Sequence, residues 1–182
     1  SVRRHPDEAL ALLELITDQY NVTGNYTEST RLAVEGIELA KQTGNKRSEA
    51  NLLLYLGINK WFMGLKDEAD EYVEQAIQMQ EQVVGESREW GLVDDLIYIY
   101  GMKITFAIED KKYQKAIDLL PRYEKLMEQL SVCPDLPDGI CDMRWASAYA
   151  SYAYIFGPNG QPHKPPESER QRDVFTPSHR LL

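Results

Sequence analysis

Two helical patterns separated by a glycine occupy residues 50–83, and this stretch constrains the fold more than any other part of the chain. The first pattern repeats at the spacing of one helix face. It consists of Leu53, Leu56, Gly57 and Trp61. The second repeats at intervals of three and four residues and consists of Ala69, Tyr72, Val73, Ala76 and Ile77. Gly64 lies between them. Since Gly57, Ala69 and Ala76 are small, the stretch predicts two closely packed antiparallel helices.

The pattern is repeated along the chain. An equivalent set lies 40 residues earlier and consists of Leu13, Ile16, Tyr20, Gly24, Tyr26 and Ser29. A third pair of helices is predicted before residue 131, with Pro121 expected to kink or delay the second of them. The predicted units are residues 7–44, 47–85, 88–131 and a half unit at 140–157. The predicted fold is therefore all-α, with about seven helices in antiparallel hairpins that stack side by side.

Five residues of the central unit carry a resemblance to a known family. They are Leu56, Gly57, Gly64, Ala69 and Ala76. Their offsets resemble the tetratricopeptide repeat, although Lys60, Lys66 and Glu81 depart from its pattern. The resemblance implies that residues 6–157 form a right-handed α-solenoid of tetratricopeptide type. The opening of the chain and its hairpins of roughly 40 residues are also similar to the sensor regions of bacterial signalling and transcriptional regulators.

The resemblance also implies a binding groove, because the first helix of each tetratricopeptide unit lines the concave side of the array. The groove residues that it implies are Glu14, Asp18, Asn21, Asn51, Leu54, Ile58, Trp61 and Tyr98. A groove of Tyr, Trp, Asn and acidic residues suits an extended or helical peptide with some positive charge. The alternative is that most of the aromatic residues pack in the core between the layers.

Residues 140–157 lack a partner helix in the predicted arrangement, because residues 158–182 are rich in proline and show no apolar period. We expect those last residues to form a disordered or loosely attached tail. The alternative is that they are not the native continuation of the repeat. Tyr149, Tyr152 and Phe156 would then form an exposed apolar strip at the end of the array. Such a strip favours a homodimer or a covering partner.

Charge and residue spacing exclude several classes of function. The net charge of -9 opposes binding to nucleic acid, which requires phosphates to be neutralised. No apolar stretch is long enough to cross a bilayer. The three histidines lie near the ends of the chain, away from any candidate nucleophile, so we expect no catalytic residues. We also expect no cofactor. Asp94 and Asp95 are adjacent, and neighbouring positions on a helix do not face each other, so we interpret them as part of a solvated face or of a helix start that the dipole favours.

Cys133 and Cys141 flank a loop that is short enough for the two side chains to meet. They either form a disulfide in an oxidising compartment or are two thiols on either side of a turn. Their spacing is not that of a paired metal knuckle, and we therefore expect no metal site.

The sequence leads to the expectation of a non-catalytic module that binds a protein or peptide ligand, as the sensor or interaction part of a signalling or transcriptional regulator. The alternative expectation is a self-assembling or scaffolding array that uses the unpaired last helix. Fold alone does not distinguish these two functions.

Overall fold

The computed structural model describes residues 5–85 and 89–156, which form seven α-helices and contain no strand. The helices are α1 Pro6–Val22, α2 Tyr26–Thr43, α3 Lys46–Phe62, α4 Lys66–Val84, α5 Trp90–Glu109, α6 Tyr113–Ser131 and α7 Ile140–Phe156. The predicted all-α class and the hairpin arrangement are confirmed. Residues 88 and 157, which bound two of the predicted units, and the predicted tail at 158–182 lie outside the described residues.

The helices form two layers. The helices α1, α3 and α5 each pack against the even-numbered helix that follows, and α1, α3, α5 and α7 also contact one another in succession. Within the described residues, the backbones of the even-numbered helices α2, α4 and α6 do not approach one another closely, although ion pairs from Lys115 to Asp70 and from Arg122 to Glu81 join α6 to α4. The odd helices therefore form a continuous layer, and one side of that layer faces away from the even helices. We call this side the odd-helix face.

A repeated turn sets the length of the first helices. Gly24, Gly44 and Gly64 each adopt a left-handed conformation, with φ values of 78°, 74° and 83°. In each turn the next residue donates its N–H to a carbonyl five residues back, which is the Schellman arrangement. Asn25 and Asn45 then cap the following helices by accepting a hydrogen bond from a backbone N–H in the first turn. These local signals fix the 20-residue interval between successive turns.

The third hairpin has two unusual local features. The delay expected at Pro121 is absent, since α6 begins at Tyr113 and continues past the proline to Ser131. The proline is exposed to solvent. The turn before α6 has Lys111 in the left-handed position, with φ of 58°, where the other turns have glycine. A side chain at such a position costs about 1–2 kcal/mol.

Helix α3 lies at the centre of the fold, because α1, α2, α4 and α5 all pack against it. Its contact with α4 depends on Gly57. A Cβ atom at Gly57 would lie 2.6 Å from Cγ2 of Val73 and 3.2 Å from the carbonyl oxygen of Ala69. The expected close approach of α3 and α4 is therefore present, and it leaves no room for a side chain at position 57.

Replacing Gly57 with alanine should destabilise the protein by about 1–3 kcal/mol, because the new methyl group forces α3 away from α4. The matched control is Gly101→Ala in α5, where a Cβ would have its nearest neighbours at 3.8 Å. That change should leave stability unchanged or raise it by up to about 1 kcal/mol through helix propensity. Denaturant unfolding followed by circular dichroism measures both. Equal stabilities for the two variants would show that the α3–α4 contact is not tight.

Candidate functional site

Hydrogen bonds between polar side chains join α1 to α3 at two points along the helices. Near the start of α3, Asn51 donates a hydrogen bond to Glu14 over 3.1 Å. Near its end, Asn21 donates to the Oδ1 atom of Asn59 over 2.8 Å. Both Asn21 and Asn51 were predicted to line a groove, and in the structure both join neighbouring helices. Asp18 lies one turn beyond Glu14, between these two points.

The link through Asn59 continues into the interior. Asn59 is fully buried and donates from Nδ2 to the hydroxyl of Ser29 over 2.9 Å. The Ser29 hydroxyl in turn donates to the carbonyl oxygen of Thr17 over 3.0 Å. This chain of hydrogen bonds joins α1, α2 and α3 at one end of the first hairpin. Because a buried amide without partners is costly, the chain fixes how the three helices meet.

Ion pairs join the later odd helices. Arg47 in α3 donates to Asp95 in α5 over 2.6 Å. Arg144 in α7 donates two hydrogen bonds to the Asp94 carboxylate in a bidentate contact, with N–O distances of 2.6 and 2.7 Å. The hydrogen bonds that Arg144 donates to the Asp94 carboxylate raise the pKa of the Arg144 side chain. The interpretation of Asp94 and Asp95 as solvated is therefore wrong: the two carboxylates point in different directions and each binds an arginine about 50 positions away along the chain.

Trp61 joins α3 to α5 at the other end of the layer. Its ring stacks on Phe106 with a centroid separation of 4.3 Å, and its Nε1 atom donates to Glu109 over 2.8 Å. The ammonium group of Lys66 lies 5.0 Å from the ring. One face of the indole is thus covered by the protein itself. The predicted role of Trp61 in a groove stays a prediction, and its observed contacts are structural.

Two predicted groove residues are covered. Leu54 and Ile58 are only 2% and 3% exposed, because α1 and α5 pack on either side of α3. Their side chains belong to the core, and their assignment to a groove is corrected. On the odd-helix face α3 instead presents Tyr55, which follows Asn51 by one turn.

Asp18, Tyr55 and Tyr98 meet on the odd-helix face from three different helices. Tyr98 is 40% exposed, whereas Asp18 and Tyr55 are half-buried. Burial, followed by the negative charge of Asp18, raises the pKa of both tyrosines above the usual value. The Asp18 carboxylate makes no hydrogen bond or ion pair with any of the described residues. The face therefore contains an uncompensated negative charge beside two aromatic rings.

The ring of Tyr98 already interacts with a cation. The guanidinium carbon of Arg144 lies 5.6 Å from its centroid, and Asp94 holds that guanidinium in place. The π-electrons of an aromatic ring attract a positive charge placed over its face. Tyr98 is thus in an environment that suits guanidinium or ammonium groups.

A cleft of about 340 Å³ extends the face between α5 and α7. Its lining is mostly small or apolar and consists of Thr105, Ile108, Glu109, Ser147, Ala150, Ser151 and Tyr154. Tyr98 and Thr105 lie seven positions apart on α5, which places them on the same side of the helix. The cleft and the tyrosine pair therefore belong to one surface.

The two ends of the array also present apolar surface. On α7, Met143 and Tyr149 are exposed. Tyr152, by contrast, is buried and donates a hydrogen bond to Glu124 over 2.6 Å, so its assignment to an exposed strip is corrected. Phe156 is half-buried against the core. At the other end, α1 and α2 border a largely apolar cleft of about 580 Å³.

Cys133 and Cys141 are thiols in this structure. Cys133 is buried, and its Sγ atom donates to the carbonyl oxygen of Gln129 over 3.4 Å. Cys141 is half-buried near the start of α7.

Asn59→Ala should destabilise the protein by about 1–3 kcal/mol, because it removes the partner of the buried Ser29 hydroxyl and of the half-buried Asn21 amide. Asn51→Ala is the matched control: it removes a second asparagine of α3 that also bonds to α1 but lies nearer the surface. Its cost should stay below about 1 kcal/mol. The two variants are compared by their midpoints of denaturant unfolding, provided that their m-values are the same. If the control variant is as unstable as the Asn59 variant, the buried hydrogen bonds through Asn59 contribute no more to stability than the bond nearer the surface.

Within residues 5–85 and 89–156, no cluster of three or more metal-binding side chains is present. None of the helices of this part combines the length and apolarity needed to cross a bilayer. The chain matches no protein-family model, and no curated protein matches its sequence.

Proposed function

We propose that the chain is a non-catalytic module of tetratricopeptide type that binds a positively charged peptide or protein segment on the odd-helix face. The observation that carries the proposal is the meeting of Asp18, Tyr55 and Tyr98 on that face, with the Asp18 carboxylate unpaired within the described residues. Peptide surfaces commonly use aromatic side chains for contact area and unpaired charges for selectivity.

The order of the helices supports a repeat of this type. In tetratricopeptide arrays, the first helices of the hairpins lie side by side and line the concave surface of a right-handed superhelix. The odd helices of this chain contact one another in the same sequence, whereas α4 and α6 are joined by ion pairs and not by close backbone packing. The matches at Leu56, Gly57, Gly64, Ala69 and Ala76 add a second, independent reason. A role as the sensor or interaction part of a bacterial regulator follows from the same resemblance.

Tyr98→Ala should abolish the capture of peptides by the full chain, since it removes the exposed ring of the face. The assay is selection of displayed random peptides on the immobilised protein, followed by titration of individual peptides. Tyr113→Ala is the matched control, because Tyr113 is 41% exposed and Tyr98 is 40% exposed, but Tyr113 lies on α6 in the other layer. Circular dichroism must show both variants folded. Equal loss in the two variants, or no loss in either, would overturn the proposal.

Self-assembly is the second candidate function, and the exposed apolar side chains of α7 favour it. Met143 is 52% exposed and Tyr149 is 37% exposed, and both lie on the helix that ends the described array. Two copies could cover these side chains by pairing their α7 helices, which would make the module a homodimer or a scaffold.

Light-scattering mass across a concentration series tests self-assembly. We expect a dimer that forms with increasing concentration and that Tyr149→Asp returns to a monomer, because the change places a charge in an apolar contact. Tyr113→Asp is the control and should not alter the mass. A monomer at every concentration would rule out assembly as the function.

A further inference from the structure

We propose that the odd-helix face binds two side chains of one peptide. The first is a lysine or arginine, which binds at Asp18, Tyr55 and Tyr98. The second is a large apolar residue, three or more positions from the first in the peptide, which binds in the cleft between α5 and α7. This inference rests on the proposed function and deepens it by naming the ligand class. The peptide can run in either direction along the face.

The first subsite is suited to a cation because it combines charge with aromatic surface. Asp18 supplies a carboxylate that no described residue neutralises, whereas the nearby carboxylates of Asp94 and Asp95 are each paired with an arginine. Tyr98 supplies an aromatic ring that is 40% exposed and lies close enough to Asp18 to feel its charge. A ligand cation would therefore gain an ion pair and a cation–π contact together.

Fixed geometry strengthens the argument for this subsite. The hydrogen bond between Asn51 and Glu14 fixes the axial position of α1 relative to α3. The ion pair between Arg47 and Asp95 does the same for α5 relative to α3. The three helices that carry Asp18, Tyr55 and Tyr98 are thus held before any ligand arrives. A site on rigid helices loses little conformational entropy when it binds.

The second subsite is the cleft of about 340 Å³ beside Ala150 and Tyr154. Its small and apolar lining is suited to an aliphatic or aromatic side chain. Tyr154 is 69% exposed on its rim and can fold over such a group. Glu109 at the edge disfavours an acidic residue there.

The separation of the two subsites sets the spacing in the ligand. Seven helical residues from Tyr98 to Thr105 correspond to about 10 Å along the axis of α5. An extended chain covers roughly 3.3 Å per residue, so about three residues are the least that can connect the two subsites. Adjacent basic and apolar residues cannot fill both at once.

The experiment is a selection of displayed random peptides on the full chain, with the sequences of the retained peptides as the readout. We expect enrichment of lysine or arginine together with a large apolar residue at least three positions away. Asp18→Asn should reduce the enrichment of the basic residue about tenfold, in keeping with the loss of a charge-assisted contact. Ala150→Trp should remove the preference for the apolar residue by filling the cleft.

Each variant has a matched control. Glu71→Gln removes an acidic charge from an exposed position of α4, and Ala153→Trp adds a large ring at an exposed position of α7 that does not line the cleft. Neither should alter the selected sequences. Controls that alter them as much as the test variants would overturn the two-subsite inference.

The remaining outcomes separate this inference from the proposed function. Peptides that bind through Tyr98 but share no basic and apolar pair at the stated spacing would overturn the inference and leave the proposed function standing. If no peptide is retained, or if Tyr98→Ala retains the same peptides, the proposed function fails and the inference fails with it.

Discussion

The close approach of α3 and α4 at Gly57 is the contact on which the other helices depend. Because Gly57 has no side chain, Val73 and the backbone of Ala69 lie directly against α3. This places α3 deep in the fold, where α1, α2 and α5 also pack on it. A helix surrounded in this way can present little to solvent, so most of its apolar residues belong to the core.

Polar contacts then decide how the odd helices are aligned. Packing of apolar side chains tolerates sliding of one helix along another, whereas hydrogen bonds and ion pairs have a defined partner and distance. Asn51 with Glu14, Arg47 with Asp95, and Arg144 with Asp94 provide such partners across successive helices. The odd-helix face is therefore a rigid surface made from residues that lie far apart in sequence.

Asp18 stands out on this face because its carboxylate has no partner within the described residues, whereas Glu14, Asp94 and Asp95 each have one. Its charge acts on Tyr55 and Tyr98, which are themselves partly shielded from water. A charge in such surroundings interacts more strongly with an incoming cation than one in bulk solvent. This is the physical basis of the proposed preference for basic peptides.

The sequence by itself determined the helices and their turns, because those depend on local signals. Apolar spacing, the glycine between the two central helices and the small residue at Gly57 predicted helices and a close approach that the structure contains. Only the tertiary structure decided which side chains are exposed. Leu54 and Ile58 are covered by helices from elsewhere in the chain, and Asp94 and Asp95 find arginines that no local pattern indicates. Burial and ion pairing depend on distant neighbours, whereas helix periodicity depends on adjacent residues.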